Sequence, residues 1–205
     1  MTTKKTIYII RHGQTDFNLR GIVQGRGVDS DLNETGRVQA LAFYNKYREV
    51  AFDHIFTSTL KRTIQSVEQF IIDGIPHTTL HALDEINWGV FEGKETTPDS
   101  KAAFNQIIES WRNGALDQPI EGGESPRQMY DRQKEGWQQI IESQHQNILV
   151  CMHGRAMRSF LSLILDTPLQ DMDQYGHTNL CLYKLEHNEG VINVVLQNDT
   201  SHYEG

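Results

Sequence analysis

Short apolar runs and helical repeats alternate along the chain. Ile7-Tyr8-Ile9-Ile10 is an unbroken apolar run rich in β-branched residues, as expected of a strand buried on both faces. Phe52 to Thr57 is a second strand candidate, and Leu80 to Leu83 reads as the end of a further extended segment. Ile148-Leu149-Val150-Cys151-Met152 is another buried run. Between these runs, apolar residues recur at helical spacing. One set, Val38, Leu41, Tyr44 and Tyr47, follows Asn33, a good N-cap. Others are Leu60, Ile64, Val67 and Ile71, then Phe104, Ile107, Ile108 and Trp111. Met129, Trp137, Ile140 and Ile141 follow Pro126, which suits a first helical position, and Met157, Phe160, Leu161 and Ile164 come last. Leu180 to Leu185 and Val191 to Leu196, joined through Asn188-Glu189-Gly190, predict a closing hairpin. This alternation predicts an α/β sandwich with a mainly parallel central sheet. A single domain over residues 1–205 is expected, with 94–120 as a small helical excursion over the site. Either a lid or a plainly packed helix fits that excursion.

Polar residues at the ends of two runs add chemistry. Ligands of open α/β sheets bind beyond the carboxyl ends of the strands. Arg11-His12-Gly13 follows the first run and His153-Gly154-Arg155 the run that ends at Met152. If those strands are neighbours, two imidazoles and several guanidiniums converge. Guanidiniums match phosphate oxygens, and an imidazole nitrogen can attack phosphorus. Arg62 falls in the first turn of a helix, where backbone amides also favour an anion; a solvated arginine beside Lys61 is the plainer reading.

Composition narrows the partners. The 205 residues carry a formal net charge of −8, which argues against nucleic acid and leaves room for a local cationic pocket. Cys151 and Cys181 sit in apolar runs and read as reduced core residues of a cytoplasmic protein. Met1 to Lys5 is polar, and the next apolar run is too short for a signal peptide or membrane span. No metal-ligand constellation, phosphate-binding loop or dinucleotide fingerprint appears, so no metal and no cofactor are expected. His54, His77, His81, His145, His177, His187 and His202 read as surface or structural.

Several motifs then fall into one order. They are R-H-G-Q-T-D-F-N at Arg11 to Asn18, Gln24-Gly25, L-N-E-T-G at Leu32 to Gly36 and S-T-L-K-R-T at Ser58 to Thr63. Leu83 to Gly93, G-G-E-S at Gly122 to Ser125 and H-G-R-A-M-R at His153 to Arg158 follow. Together they resemble the histidine phosphatases, the phosphoglycerate mutase-like superfamily. The resemblance implies a three-layer α/β sandwich with a small helical cap. It implies a phosphohistidine at His12, with Arg11, Arg62 and His153 on the transferring oxygens, where His153 would serve best when protonated. Glu85, rather than Asp84, would be the proton donor. Asn18, Gln24, Gly25, Thr15 and Gly154 would bind a small phosphorylated substrate. The chain departs from the family pattern at Ile22, where an arginine is usual, with Arg20 two residues earlier. It departs again at Asp31, usually proline, in a loop one residue longer than the common form. Mutases of the family carry a tyrosine where this chain has Trp88, asparagine where it has Arg155, and a longer insertion with paired arginines where Arg112 stands alone. The expected activity is therefore a metal-independent phosphomonoester hydrolase. A cofactor-dependent mutase is the alternative, and a non-catalytic phospho-ligand binder a more distant one.

Overall fold

The computed structural model describes residues 4–203; Met1 to Thr3, part of the polar N-terminal stretch, and Glu204-Gly205 lie outside it. Among the described residues six strands form one sheet. They are β1 (Lys5–Arg11), β2 (His54–Thr57), β3 (His77–Thr79), β4 (Asn147–Met152), β5 (Leu182–Asn188) and β6 (Val191–Asp199). The order is β3-β2-β4-β1-β5-β6, with the first four parallel and β5 and β6 antiparallel to their neighbours. The helices are α1 (Asp16–Leu19), α2 (Glu34–Tyr47), α3 (Lys61–Ser66), α4 (Glu68–Ile72), α5 (Pro98–Arg112), α6 (Pro126–Glu142) and α7 (Gly154–Ile164). None of the described helices is long and apolar enough to cross a membrane.

The pleat explains the unbroken apolar run of β1. Ile7 and Ile9 pack on one face with Met129, Ile140, Phe160 and Leu161 from α6 and α7. Tyr8 and Ile10 point the other way, to Phe43, Val67 and Phe70 around α2 to α4. Both faces are covered, so both residue sets must be apolar. The result is a three-layer sandwich whose register pairs Arg11 with Met152. His12 and His153 therefore leave adjacent strand ends together.

Four local expectations shift. Phe52 is buried but precedes the strand, because Asp53 turns aside to accept the Gln146 amide. The third extended segment ends at Thr79, and His81–Leu83 makes a 3-10 turn, drawn across the end of β2 by Asp84 accepting the Thr59 amide and hydroxyl. In α2, Val38 and Leu41 are 61% and 51% exposed, and the buried contacts are Gly36 and Phe43. The helix after β2 breaks at Val67, so Thr63, Ser66 and Phe70 are buried where the repeat had pointed to Ile64 and Ile71. The hairpin stands as expected: Glu189 and Gly190, at φ 50° and 81°, form the two-residue turn whose twist suits antiparallel strands.

Gly36 explains why a helix N-terminus can brace the loop after β1. A Cβ there would lie 2.1 Å from the Gln14 carbonyl oxygen. Asn33 adds to the brace by donating its amide hydrogens to Gln14 from side chain and backbone. Gly36→Ala is expected to destabilise the fold by about 1–3 kcal/mol through overpacking, read as a lowered urea midpoint. An unchanged midpoint would show that the loop yields freely.

Candidate active site

The loop after β1 fixes the tautomer of His12. Its Nδ1 lies 2.7 Å from the Gly13 carbonyl oxygen, which can only accept, so Nδ1 carries the hydrogen. Nε2 is left with the lone pair. Burial, and then Arg62 and Arg11, hold the imidazole pKa well below its usual value. His12 is therefore neutral at neutral pH. Its backbone is held by Met152 and Asn179, and Gly13 donates to Ser66 Oγ from α3. The polar residues buried on α3 thus serve this loop.

Behind His12 lie His153 and Arg62, both without exposed surface. The two imidazole centroids are 5.2 Å apart. Arg62 Nε donates to His153 Nδ1 at 3.1 Å, so His153 Nε2 bears hydrogen and donates to Ser58 Oγ at 2.7 Å. His153 would hold a phosphoryl oxygen best when protonated, and this setting disfavours that form. Burial, followed by Arg62, His12 and Arg11, drives its pKa well down, and both nitrogens are engaged. Arg62 also donates to the carbonyls of Val28 and Gly25. Its pKa is pushed down to about 10 by burial, which leaves it cationic.

Arg11 lines the cavity beside His12. Its Nη1 donates to the His177 carbonyl at 2.6 Å and to His177 Nδ1 at 3.2 Å, and its buried Nε has no hydrogen-bond partner among the described residues. His177, read from sequence as surface or structural, is a wall of the site. Burial and Arg11 push its pKa down to about 3, so it is neutral, with the proton on Nε2.

Glu85 stands at the N-terminus of α7. Its Oε1 accepts from the amides of Ile86 and Ala156, and its Oε2 from that of Arg155. Helix N-termini offer such unsatisfied donors. Arg132 on α6 clamps the acid loop by donating to the carbonyls of His81, Ala82, Asp84 and Glu85 and to the Glu124 carboxylate. Glu124, of the G-G-E-S motif, also accepts the Asn87 amide. Asp84 is buried against Thr59 and His81 and does not line the cavity.

The cavity has a volume of about 280 Å³ and is lined by Arg11, His12, Asn18, Ile22, Val23, Gln24, Glu85, Trp88, Phe104, Gly154, Arg155 and His177. Of the residues expected to bind substrate, Asn18, Gln24 and Gly154 line this cavity. Thr15 and Gly25 do not. Thr15 is buried beneath the wall, where its hydroxyl accepts from Gln24 Nε2 and the Asn18 amide. Gly25 presents its carbonyl to Arg62, and a Cβ there would meet the Glu92 carboxylate and the Ile86 carbonyl. In the 94–120 excursion, α5 contributes Phe104, while Trp111 is fully buried and stacked 5.8 Å from Trp88. Arg155 lies over Trp88 and donates to Asp173 at 2.7 Å; Arg112 and Arg158 share that carboxylate. Asp173, the carboxylate that gathers the three arginines, lay in no sequence motif. Among the described residues no group of three or more histidines, cysteines and carboxylates could hold a metal ion.

The chain belongs to the histidine phosphatase superfamily (branch 1), whose family model matches residues 7–200. A Hydrogenobacter thermophilus protein named "Putative phosphoserine phosphatase 2" is 26% identical over 189 residues, covering 86% of this chain and 89% of its own. A Salmonella choleraesuis protein named "Probable phosphoglycerate mutase GpmB" is 29% identical over 189 residues, covering 89% and 85%. The solved structure of Bacillus stearothermophilus YhfR superposes with a TM-score of 0.84 at 28% identity, over 98% of this chain and all of that one. The protein is thus an enzyme of the histidine phosphatase kind, with phosphatases and mutase-like proteins among its relatives.

Proposed function

We propose that the protein hydrolyses a small phosphomonoester through a phosphohistidine at His12, without a metal. The observation that carries this is the Nδ1 contact with the Gly13 carbonyl, which leaves an unprotonated Nε2 beside a cavity that Glu85 also lines. His12 Nε2 attacks phosphorus as the bond to the alcohol oxygen breaks, and Glu85 gives that oxygen its proton. Water then attacks the phosphohistidine, Glu85 takes a proton from it, and the phosphorus–nitrogen bond breaks. Inorganic phosphate leaves and neutral His12 returns. Arg11, with His177 beside it, offers donors to the transferring oxygens by contact. Arg62 acts through its charge from behind His12, and neutral His153 holds it there. Fixed positive charge of this kind stabilises the transferring group in place of a metal ion. Asn18, Gln24 and the Gly154 backbone complete the substrate pocket, and α5 supplies one wall.

Hydrolysis is favoured over mutase chemistry because the cavity offers a second anion little. Ile22 is apolar, Trp88 carries no hydroxyl, and Arg155 is tied to Asp173. With 3-phosphoglycerate, a bisphosphoglycerate primer and a chelator, phosphate release is expected to exceed formation of the 2-isomer. Fast isomerisation with little free phosphate would reverse the assignment, and loss of all activity in the chelator would overturn metal independence.

A further inference from the structure

The cavity beside His12 adjoins a larger one of about 620 Å³, and Val23 and Phe104 line both. Their common wall is aromatic. Trp88 lines the first cavity, Phe104 both and Phe91 the second. Phe104 packs 5.0 Å from Trp88 and 5.5 Å, edge-on, from Phe91. Val90 completes the apolar lining and is 39% exposed. Lys94 and Lys101 also line this space, with their residues exposed to solvent, and Glu95 is paired with Arg20.

We infer that this second cavity is the leaving-group subsite, and that it takes an uncharged, apolar alcohol of aromatic character. The inference rests on the phosphatase reading of the site. With phosphorus at His12 and the ester oxygen at Glu85, the rest of the alcohol must leave the small cavity along one of its walls. The wall formed by Trp88, Phe104 and Phe91 leads into a space large enough for a fused ring. Aromatic faces arranged at these spacings favour a further ring by offset or edge contact. Thr96, Thr97, Ser100 and Asn105 add uncharged polar groups to the lining, and pockets of this volume that join apolar walls to such groups bind small organic ligands. In the small cavity Arg11 is taken up by the phosphoryl group and Arg155 is held by Asp173, so a short, doubly charged ester finds no spare cation there.

The test compares phosphonates that cannot be hydrolysed. Binding of ethylphosphonate, 2-(1-naphthyl)ethylphosphonate and 3-carboxypropylphosphonate to the whole protein is measured by calorimetry. The naphthyl compound is expected to bind about tenfold or more tightly than the ethyl one, from the apolar area it removes from water. Val90→Asp, which sets a carboxylate in the apolar lining, should bring that ratio toward one. Equal affinities in the wild type, or a naphthyl preference that Val90→Asp leaves intact, would overturn the inference. Tighter binding of the carboxypropyl compound would also overturn it, by assigning the space to Lys94 and Lys101. Turnover of ethyl and 2-(1-naphthyl)ethyl phosphate, whose alcohols are similarly poor leaving groups, separates the two readings. A protein that prefers the naphthyl phosphonate but hydrolyses neither ester keeps the subsite and loses the phosphatase assignment.

Discussion

His12→Ala is expected to lower turnover of any phosphomonoester by on the order of 10⁴-fold or more, since removing a nucleophile leaves only binding and electrostatic effects. The fold should survive, because the bonds that brace the loop at this point run through its backbone and Gly13. Quenching the wild type without acid, soon after mixing with labelled substrate, should trap an acid-labile phosphoryl group that the variant lacks. The pH dependence follows from burial. The imidazole pKa lies well below its usual value in the fold, so the unfolded chain takes up the His12 proton first as pH falls. Stability from this group is therefore lost below about pH 6.5, the unfolded value, and does not change above it. By the same sign, His12 contributes no acid limb to kcat/KM near pH 6.5, where a solvated imidazole would. Wild-type turnover in the variant would remove His12 from the chemistry.

The sheet and the catalytic loops were legible in the sequence because each is a contiguous local pattern. A parallel strand buried on both faces must be apolar throughout, and a polar residue just after it stands at the ligand edge. That logic located Arg11, His12 and His153 before any fold was known. It failed on α3, where the buried stripe holds Arg62, Thr63 and Ser66. Those side chains face inward because Ser66 receives the Gly13 amide and Arg62 reaches Val28 and Gly25, so an apolar repeat could not reveal the buried face. It failed also for His177, which looks like any surface histidine until the fold brings it to Arg11. The clamp of Arg132 on four carbonyls of the acid loop is invisible for a further reason. Backbone acceptors leave no trace in composition, although the side-chain partner, Glu124, lay within a recognisable motif. Positions that act through backbone contacts need the folded chain.

Glu85→Gln is expected to slow phosphorylation of His12 by an alkyl phosphate about 10²–10⁴-fold, the usual worth of general acid catalysis, and to slow p-nitrophenyl phosphate far less. An alkoxide is a poor leaving group and needs a proton as the bond breaks, whereas nitrophenolate leaves without one. The substitution keeps the size of the side chain but not all of its contacts. Both carboxylate oxygens accept backbone amides, and in glutamine one of them becomes an NH₂ group facing a donor. The lost hydrogen bond costs about 1–3 kcal/mol, so some loss of stability or alignment is expected with every substrate. Comparing two esters on the same variant divides that shared defect out. The comparison must use the pre-steady-state rate of the first step, because Glu85 is also the proposed base in the second. With the nitrophenyl ester, the variant should give a fast burst of nitrophenol followed by a slow phase limited by hydrolysis of the phosphohistidine. Equal slowing of both esters in the first step would show that Glu85 is not the acid. Asp84 could not then take its place without rebuilding the loop, since its carboxylate is held by Thr59 and His81 away from the cavity.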